Sequence, residues 1–379
     1  MEILNGLIYL DSFQFQKAHL VIEGEYFSTI TTNLPISHSD KVLDGTNCYV
    51  IPGLIDIHLH GACGYDFCDA TPDAISQIVQ YELQNGITTI FPTTMTLAKK
   101  EICHILSTLA HYHNASTTLG RSIRGIHLEG PYISSSQCGA QDARFCLQPK
   151  LQEFKQFQKS AQGLIRYLTL APEQWGALDF IETLSHEVII SLGHTSANYD
   201  IAMEAFHRGA SHVTHCYNAM PPLHHRKPGI IGAAMDYEKA YIELICDGIH
   251  LHPATIRQSF KLFDDDYIIF ISDSTMATGL PDGQYTLGGS PIQVLYGEAR
   301  TPQGNLAGST THLMDCLRKA ISFGIPFERA LKCVTANPAR ETGLYQELGS
   351  ITPGKKADCV ILNQALEIIH VIKDGQLIF

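Results

Sequence analysis

No apolar run in this chain approaches ~18 residues, the length a membrane-spanning helix requires. The opening stretch, "MEILNGLIYLDSFQ", lacks a basic start and a sufficient apolar core, so no secretory leader is expected. Positive charge is scarce. There are 26 Lys and Arg against 38 Asp and Glu, a formal net charge of −12. That balance argues against a general nucleic-acid partner or an anionic membrane partner. It leaves room for an anionic small molecule in a local basic pocket. The 11 cysteines include no C-x-x-C pair and no regular framework. An odd number in a chain of this length reads as reduced thiols in a cytoplasmic protein. Low-complexity tracts and obvious repeats are absent. So is a G-x-G-x-x-G turn after the first strand-like segment, which counts against a doubly wound dinucleotide fold.

What is present is a β-then-α alternation in a chain of 379 residues, 45% hydrophobic and 17% charged. Strand-like segments occur at 50–60, 87–94, 123–130, 165–173, 187–195, 212–219, 242–250 and 267–275. Most are short runs rich in Ile, Val and Leu, as in parallel strands buried on both faces. Amphipathic helices separate several of them. In "TPDAISQIVQYELQNG", Thr71 caps, Pro72 opens the first turn, and Ile75, Ile78, Val79 and Leu83 form one stripe ending at Gly86. In "SANYDIAMEAFHRG", Ser196 is the expected cap. The pattern predicts an α/β fold, a (β/α)8 TIM barrel over 50–349. The two ends read as short antiparallel strands. Residues 1–49 and 350–379 are expected to form one small β-sandwich-like domain from which the barrel emerges.

Polar residues fall at the ends of these strands. His58 and His60 close the first, Glu129 the third, His194 the fifth and Asp273 the eighth, while His215 lies on the sixth. Catalytic groups of TIM barrels gather at that end. Taken singly, each has an ordinary reading: a hydrogen-bonded histidine, or an acidic turn cap. His104, His111, His113 and His186 keep that reading. Together they form a ligand set. Neutral imidazoles with one carboxylate suit a divalent metal with an open position. Such an ion lowers the pKa of its water from 15.7 towards ~7. A free carboxylate beside it, Asp273, can shuttle a proton to a leaving group.

The motifs "PGLIDIHLHG", "GIHLEGPYIS", "SLGHT", "HCYNAMPPLHHRKPG", "DGIHLHP", "ISDSTMATGLPDG" and "LAGST" resemble the N-acetylglucosamine-6-phosphate deacetylases of the amidohydrolase superfamily. The similarity runs from about residue 45 to 360. The fourth strand lacks the lysine that bridges two metals in many relatives, and Glu129 fills that role in the deacetylases. The resemblance implies a main metal on Glu129, His194 and His215. A second would lie on His58 and His60, so one or two ions of Zn, Fe, Mn or Co are expected. Asp273 matches the general base and acid. Ala140, Asn218, Ala219, Leu306 and Ala307 match positions contacting the sugar phosphate, and Arg226 and His250 match phosphate contacts. Gln141 stands where some members carry His. It can donate a hydrogen bond to a carbonyl or a sugar hydroxyl, but it carries no charge. The implied reaction is hydrolysis of the acetamide of N-acetylglucosamine 6-phosphate to acetate and glucosamine 6-phosphate. A cytoplasmic homodimer is implied, with phosphate contacts borrowed from the neighbouring subunit.

Two other readings remain open at this level. A cyclic-amide hydrolase or base deaminase shares the barrel and the H-x-H pair but has no use for Arg226. A catalytically dead barrel serving as a scaffold would be expected to have lost ligands, and all of them are present here.

Overall fold

The structure, a computed structural model, describes residues 1–33, 41–115 and 117–378. Eight short apolar segments form its central sheet. In chain order they are Leu54–Leu59, Ile87–Thr94, Ile126–Glu129, Ile165–Leu170, Ile189–Leu192, His212–Val213, Tyr241–Ile245 and Ile268–Ile271. Each pairs in parallel with the next. The first and last meet at the carboxyl-end rim. There Asp273 N donates to His58 O at 3.0 Å and His60 N to Ser274 O at 2.8 Å. This is the TIM barrel expected. Inside it, Ile57, Phe91, Tyr167, Ile245, Ile269 and Ile271 reach one another across the cylinder, with Ala339 and Leu348 in the same cluster. The larger apolar cluster packs the outer helices on the strands.

Local chemistry explains the helices. Pro72–Gln84 starts with Thr71 Oγ1 accepting from Ala74 N at 3.2 Å and has Pro at its first turn. Its buried face is Ala74, Ile75, Ile78, Val79 and Leu83. The cap expected at Ser196 is corrected. Asn198 caps Tyr199–His207 by accepting from Ile201 N at 2.9 Å. Ser196 is committed elsewhere, its hydroxyl donating to Glu173 Oε1 at 2.9 Å.

The segment expected as one strand over 50–60 is two. Tyr49–Pro52 pairs with Cys359–Leu362 in the terminal sheet, and the barrel begins at Leu54. Gly53 makes the break possible, since a Cβ there would lie 2.1 Å from Thr88 Oγ1. The strands from the two termini form a single eight-stranded sheet by hydrogen bonding, not two separately bonded sheets. The reason is that Glu2–Tyr9 pairs with Phe15–Glu23 on one edge and with both Val42–Asp44 and Tyr49–Pro52 on the other. A register shift between Ile3 and Gly6, with Asn5 at φ 62°, marks the bulge.

Among the described residues of this sheet, Lys373 is buried between two carboxylates, with Asp374 Oδ1 at 3.9 Å. Lys373 Nζ donates to Asp358 Oδ2 at 2.7 Å, with both side chains nearly inaccessible. Asp358→Ala would leave the ammonium only the longer contact to Asp374, at an expected cost of up to about 3–5 kcal/mol. A urea midpoint unchanged from wild type would contradict this.

A three-stranded antiparallel insertion follows the eighth barrel strand: Gly283–Leu287, Ser290–Leu295 and Glu298–Arg300. Its apolar side, Leu287, Ile292, Val294 and Ala299, packs on Met95, Ala277 and Ala307 beside the barrel mouth.

Candidate active site and metal centre

The strand ends carry the polar groups to one place because the backbone turns sharply there. His58 lies within the first strand and His60 just beyond it; Glu129 is the last residue of the third. The sixth strand stops at Val213, so His215 lies in the following loop and not on the strand as expected. His194, His215 and Asp273 all have left-handed backbones, with φ of 47°, 27° and 49°. Side chains other than glycine's rarely adopt this geometry, at a cost of order 1–3 kcal/mol each. Hydrogen bonds hold each in place. Ser134 N donates to His194 O at 2.9 Å, Glu243 Oε2 accepts from His215 N at 2.8 Å, and Ser309 N donates to Asp273 O at 2.7 Å.

These turns place Glu129 at the centre of the cluster. Its Oε1 lies 3.1 Å from His194 Nε2, 3.2 Å from His215 Nε2 and 3.4 Å from His58 Nε2. Its Oε2 lies 3.4 Å from His60 Nε2. Asp273 Oδ1 is 3.2 Å from His60 Nε2 and 3.6 Å from His58 Nε2. Among the described residues three groups have metal-ligand spacing: Glu129, His194 and His215; beside them His58, His60 and Asp273; and, through the other nitrogen of His58, a wholly buried group of His58, His127 and Glu243. Burial opposes the charge on Glu129. The neighbouring imidazoles, His58 first, outweigh it and hold the carboxyl well below its ordinary range. Asp273 is likewise lowered, against its burial, chiefly by its hydrogen bond with His60.

Outer contacts orient the rings. His194 Nδ1 is 2.9 Å from the Gln137 carbonyl and His58 Nδ1 is 2.9 Å from Glu243 Oε2. A proton on each Nδ1 leaves each Nε2 bare and facing the cluster. The cluster fits a divalent cation on chemical grounds. His58 Nε2 is buried with no hydrogen-bond partner. The Nε2 atoms of His194 and His215 face each other at 3.1 Å across the same carboxylate oxygen. Without a cation, several buried lone pairs would converge on one another.

A cavity of about 350 Å³ opens above the cluster. Ala140, Gln141, Asn218, Ala219, His250 and Leu306 line it together with His60, Glu129, His194, His215 and Asp273, while His58 is buried out of its lining. Met95 and Leu287 supply an apolar wall. Ala307 is fully buried, and its neighbours Leu306 and Gly308 face the cavity in its place. Arg226 is outside this lining, exposed on the 221–227 loop with Nη1 2.6 Å from His225 Nε2. Gln141 donates to Glu129 Oε2 at 2.6 Å and accepts from Thr96 N at 2.6 Å, so it is tied to the cluster itself. His250 Nδ1 is 2.7 Å from Asp247 Oδ2. Burial works against a charge on His250, but Asp247 outweighs it and raises its pKa.

Several participants escape a reading of strand ends. Gln137 acts through its carbonyl, which no side-chain pattern reveals. Glu243 left a signal: an acid in the middle of "YIELI", a strand otherwise apolar and buried. His212 left a similar one at the start of the sixth strand. It lies between Glu341 and Glu243, which overcome its burial and raise its pKa to about 9.

A model of the amidohydrolase family matches residues 49–378. The chain is 36% identical to the N-acetylglucosamine-6-phosphate deacetylase of Bacillus subtilis (strain 168), covering 96% of this chain and 93% of that protein. It is 35% identical to the N-acetylgalactosamine-6-phosphate deacetylase of Escherichia coli O157:H7, covering 97% and 95%. Among solved structures it is similar to an Asp-to-Ala mutant of the N-acetyl-D-glucosamine-6-phosphate deacetylase of Mycobacterium smegmatis in complex with N-acetyl-D-glucosamine-6-phosphate. That match has a TM-score of 0.93 at 30% identity, covering 100% and 99% of the two chains. The barrel, the buried histidine–carboxylate cluster at its carboxyl end and these similarities agree: the chain is an enzyme of the metal-dependent amidohydrolase family.

Proposed function

We propose that this enzyme hydrolyses the acetamide of N-acetylglucosamine 6-phosphate, releasing acetate and glucosamine 6-phosphate. The observation that carries this reading is the convergence of six side chains, five of them lining the floor of a cavity with room for one sugar phosphate and His58 directly beneath. Glu129, His194 and His215 would hold one divalent cation, and His58 and His60 a second, with Glu129 between them. When bound, such a cation supplies Lewis acidity, polarising the amide carbonyl and lowering the pKa of water.

The chain's own groups do the rest. Asp273, directed at the cluster from just beyond the carboxyl end of the eighth strand, takes a proton from the attacking water at a carboxylate oxygen. It returns that proton to the amide nitrogen as the C–N bond breaks, so the amine leaves neutral. Gln141 holds Glu129 in place and keeps one amide N–H for the substrate. Met95 and Leu287 exclude water from one side of the cavity. His250, held through Nδ1 by Asp247, offers its imidazole to the phosphate from the cavity wall, and Asn218, Ala219 and Leu306 border the same space. Ala307 contributes through the backbone around it.

Arg226 is the remaining phosphate candidate. Its guanidinium suits a phosphate, and its exposure outside its own chain's cavity supports a homodimer in which a second copy brings it to the site. Arg226→Ala is expected to raise KM for the phosphorylated sugar by about tenfold or more, or ~1.4 kcal/mol. The unphosphorylated sugar should be unaffected. Equal losses for both would mean a general effect on folding.

A second reading concerns the epimer, since one relative is named for N-acetylgalactosamine 6-phosphate. The two sugars differ at one hydroxyl. Acetate release from both epimers, each with and without phosphate, tests the assignment. Preference for an unphosphorylated substrate would overturn it. No helix among the described residues is long and apolar enough to cross a membrane, and the cysteines are all unpaired. The free thiols support placing the enzyme in a reducing compartment, the cytoplasm.

A further inference from the structure

Glu243 is wholly buried, lies outside the cavity lining and belongs to neither of the two ligand groups at the cavity; with His58 and His127 it forms a third cluster of potential ligand atoms. One of its oxygens nevertheless touches both groups. Oε2 is 2.9 Å from His58 Nδ1 and accepts from the backbone N–H of His215 at 2.8 Å. The other, Oε1, is 3.0 Å from His212 Nε2. His212 Nδ1 is in turn 2.6 Å from Glu341 Oε1, and Glu341 Oε2 accepts from Tyr167 OH at 2.7 Å. A buried line of groups thus runs down the inside of the barrel, away from the cavity, with Glu243 at its upper end.

We propose that Glu243 is a positioning residue that couples the two halves of the metal centre, because a single carboxylate oxygen fixes the ring of His58 and the peptide of His215. This rests on the metal reading of the cluster. Two physical facts support it. His215 has a left-handed backbone, and such a conformation persists only where surrounding bonds over-determine it. The Nδ1 partner of a ligating histidine sets which nitrogen faces the ion. Glu243 performs both tasks, on ligands from opposite groups. His212, bonded to Glu341 through Nδ1, lies within ion-pair distance of the other Glu243 oxygen. Glu243 therefore ties the geometry of both positions to one carboxylate, so that its loss weakens both.

Metal-free protein titrated with zinc against a chromophoric chelator tests this without any substrate. His58→Ala is expected to remove one ion and leave the other at wild-type affinity. Glu243→Ala is expected to weaken every ion bound, by about 10–100-fold. Should Glu243→Ala fail to fold, two closer variants decide. Glu243→Gln keeps an oxygen able to accept from both His58 and His215, and is expected to stay near wild type. Glu243→Asp keeps the charge but withdraws the oxygen by one methylene, and is expected to bind zinc more weakly than Glu243→Gln. The reverse order would show that charge and not position matters, and would overturn the proposal. So would a Glu243→Ala protein that loses only the ion lost in His58→Ala. A wild-type chain that binds no zinc would refute the metal reading instead.

Discussion

Asp273→Asn is expected to leave metal content unchanged while lowering kcat by about 10²–10⁴-fold, the usual worth of a positioned proton carrier. The substitution conserves shape, and the structure shows why shape should hold. The backbone of residue 273 is pinned at both ends, its N–H on His58 O and its carbonyl on Ser309 N. An asparagine can place its own carbonyl oxygen where Asp273 Oδ1 now lies, 3.2 Å from His60 Nε2. What it cannot do is accept a proton from water and release it to an amine. Elemental analysis and turnover on the same preparation check this. A near-normal rate would remove Asp273 from the mechanism. A loss of metal alongside the rate would make it a ligand first and a proton carrier second.

Glu129→Ala is expected to have the larger consequence. Metal affinity should fall by more than the about 10–100-fold typical of outer contacts, and turnover should drop to that of chelator-treated wild type. Glu129 is the carboxylate that faces all four histidines, through Oε1 for three and Oε2 for His60. Its removal leaves His194 and His215 converging with no carboxylate between them, and only Asp273 beside His58 and His60, which disfavours a cation there. Stability gives an independent readout. An ion that binds only the folded chain stabilises it by about 2.7 kcal/mol at a hundredfold excess over Kd. Added zinc should therefore raise the melting temperature of the metal-free wild type and leave Glu129→Ala unmoved. A variant that still melts higher with zinc would show that the histidines suffice.

These effects turn on residues of unequal visibility in the amino-acid order. His58, His60, Glu129, His194 and Asp273 stand out because each interrupts or ends an apolar segment. His215 was visible as a residue but misplaced on a strand, since "HVTHCYNA" is strand-like throughout while pairing stops at Val213. Only a neighbour's register can end it there. Glu243 was overlooked because one acid inside a buried strand has meaning only once its partners are known, and those partners, His58 and His212, lie far from it in the chain. The insertion over 283–300 supplies the apolar wall through Leu287, and its alternating pattern does not announce which side faces the mouth. The cap at Asn198 was missed in favour of Ser196 because both are good capping residues, and Glu173 decided between them.

The order of residues by itself determined the alternation of strand and helix, hence the barrel, and the kinds of side chain delivered to its carboxyl end. These follow from periodicity, which is local and is set by which faces a segment must bury. Tertiary structure alone decided the rest: the left-handed turns at His194, His215 and Asp273, the tether through Glu243, and the position of Arg226 outside its own chain's cavity. Each of these depends on atoms brought together by closure of the cylinder, and contact between distant segments leaves no period to read.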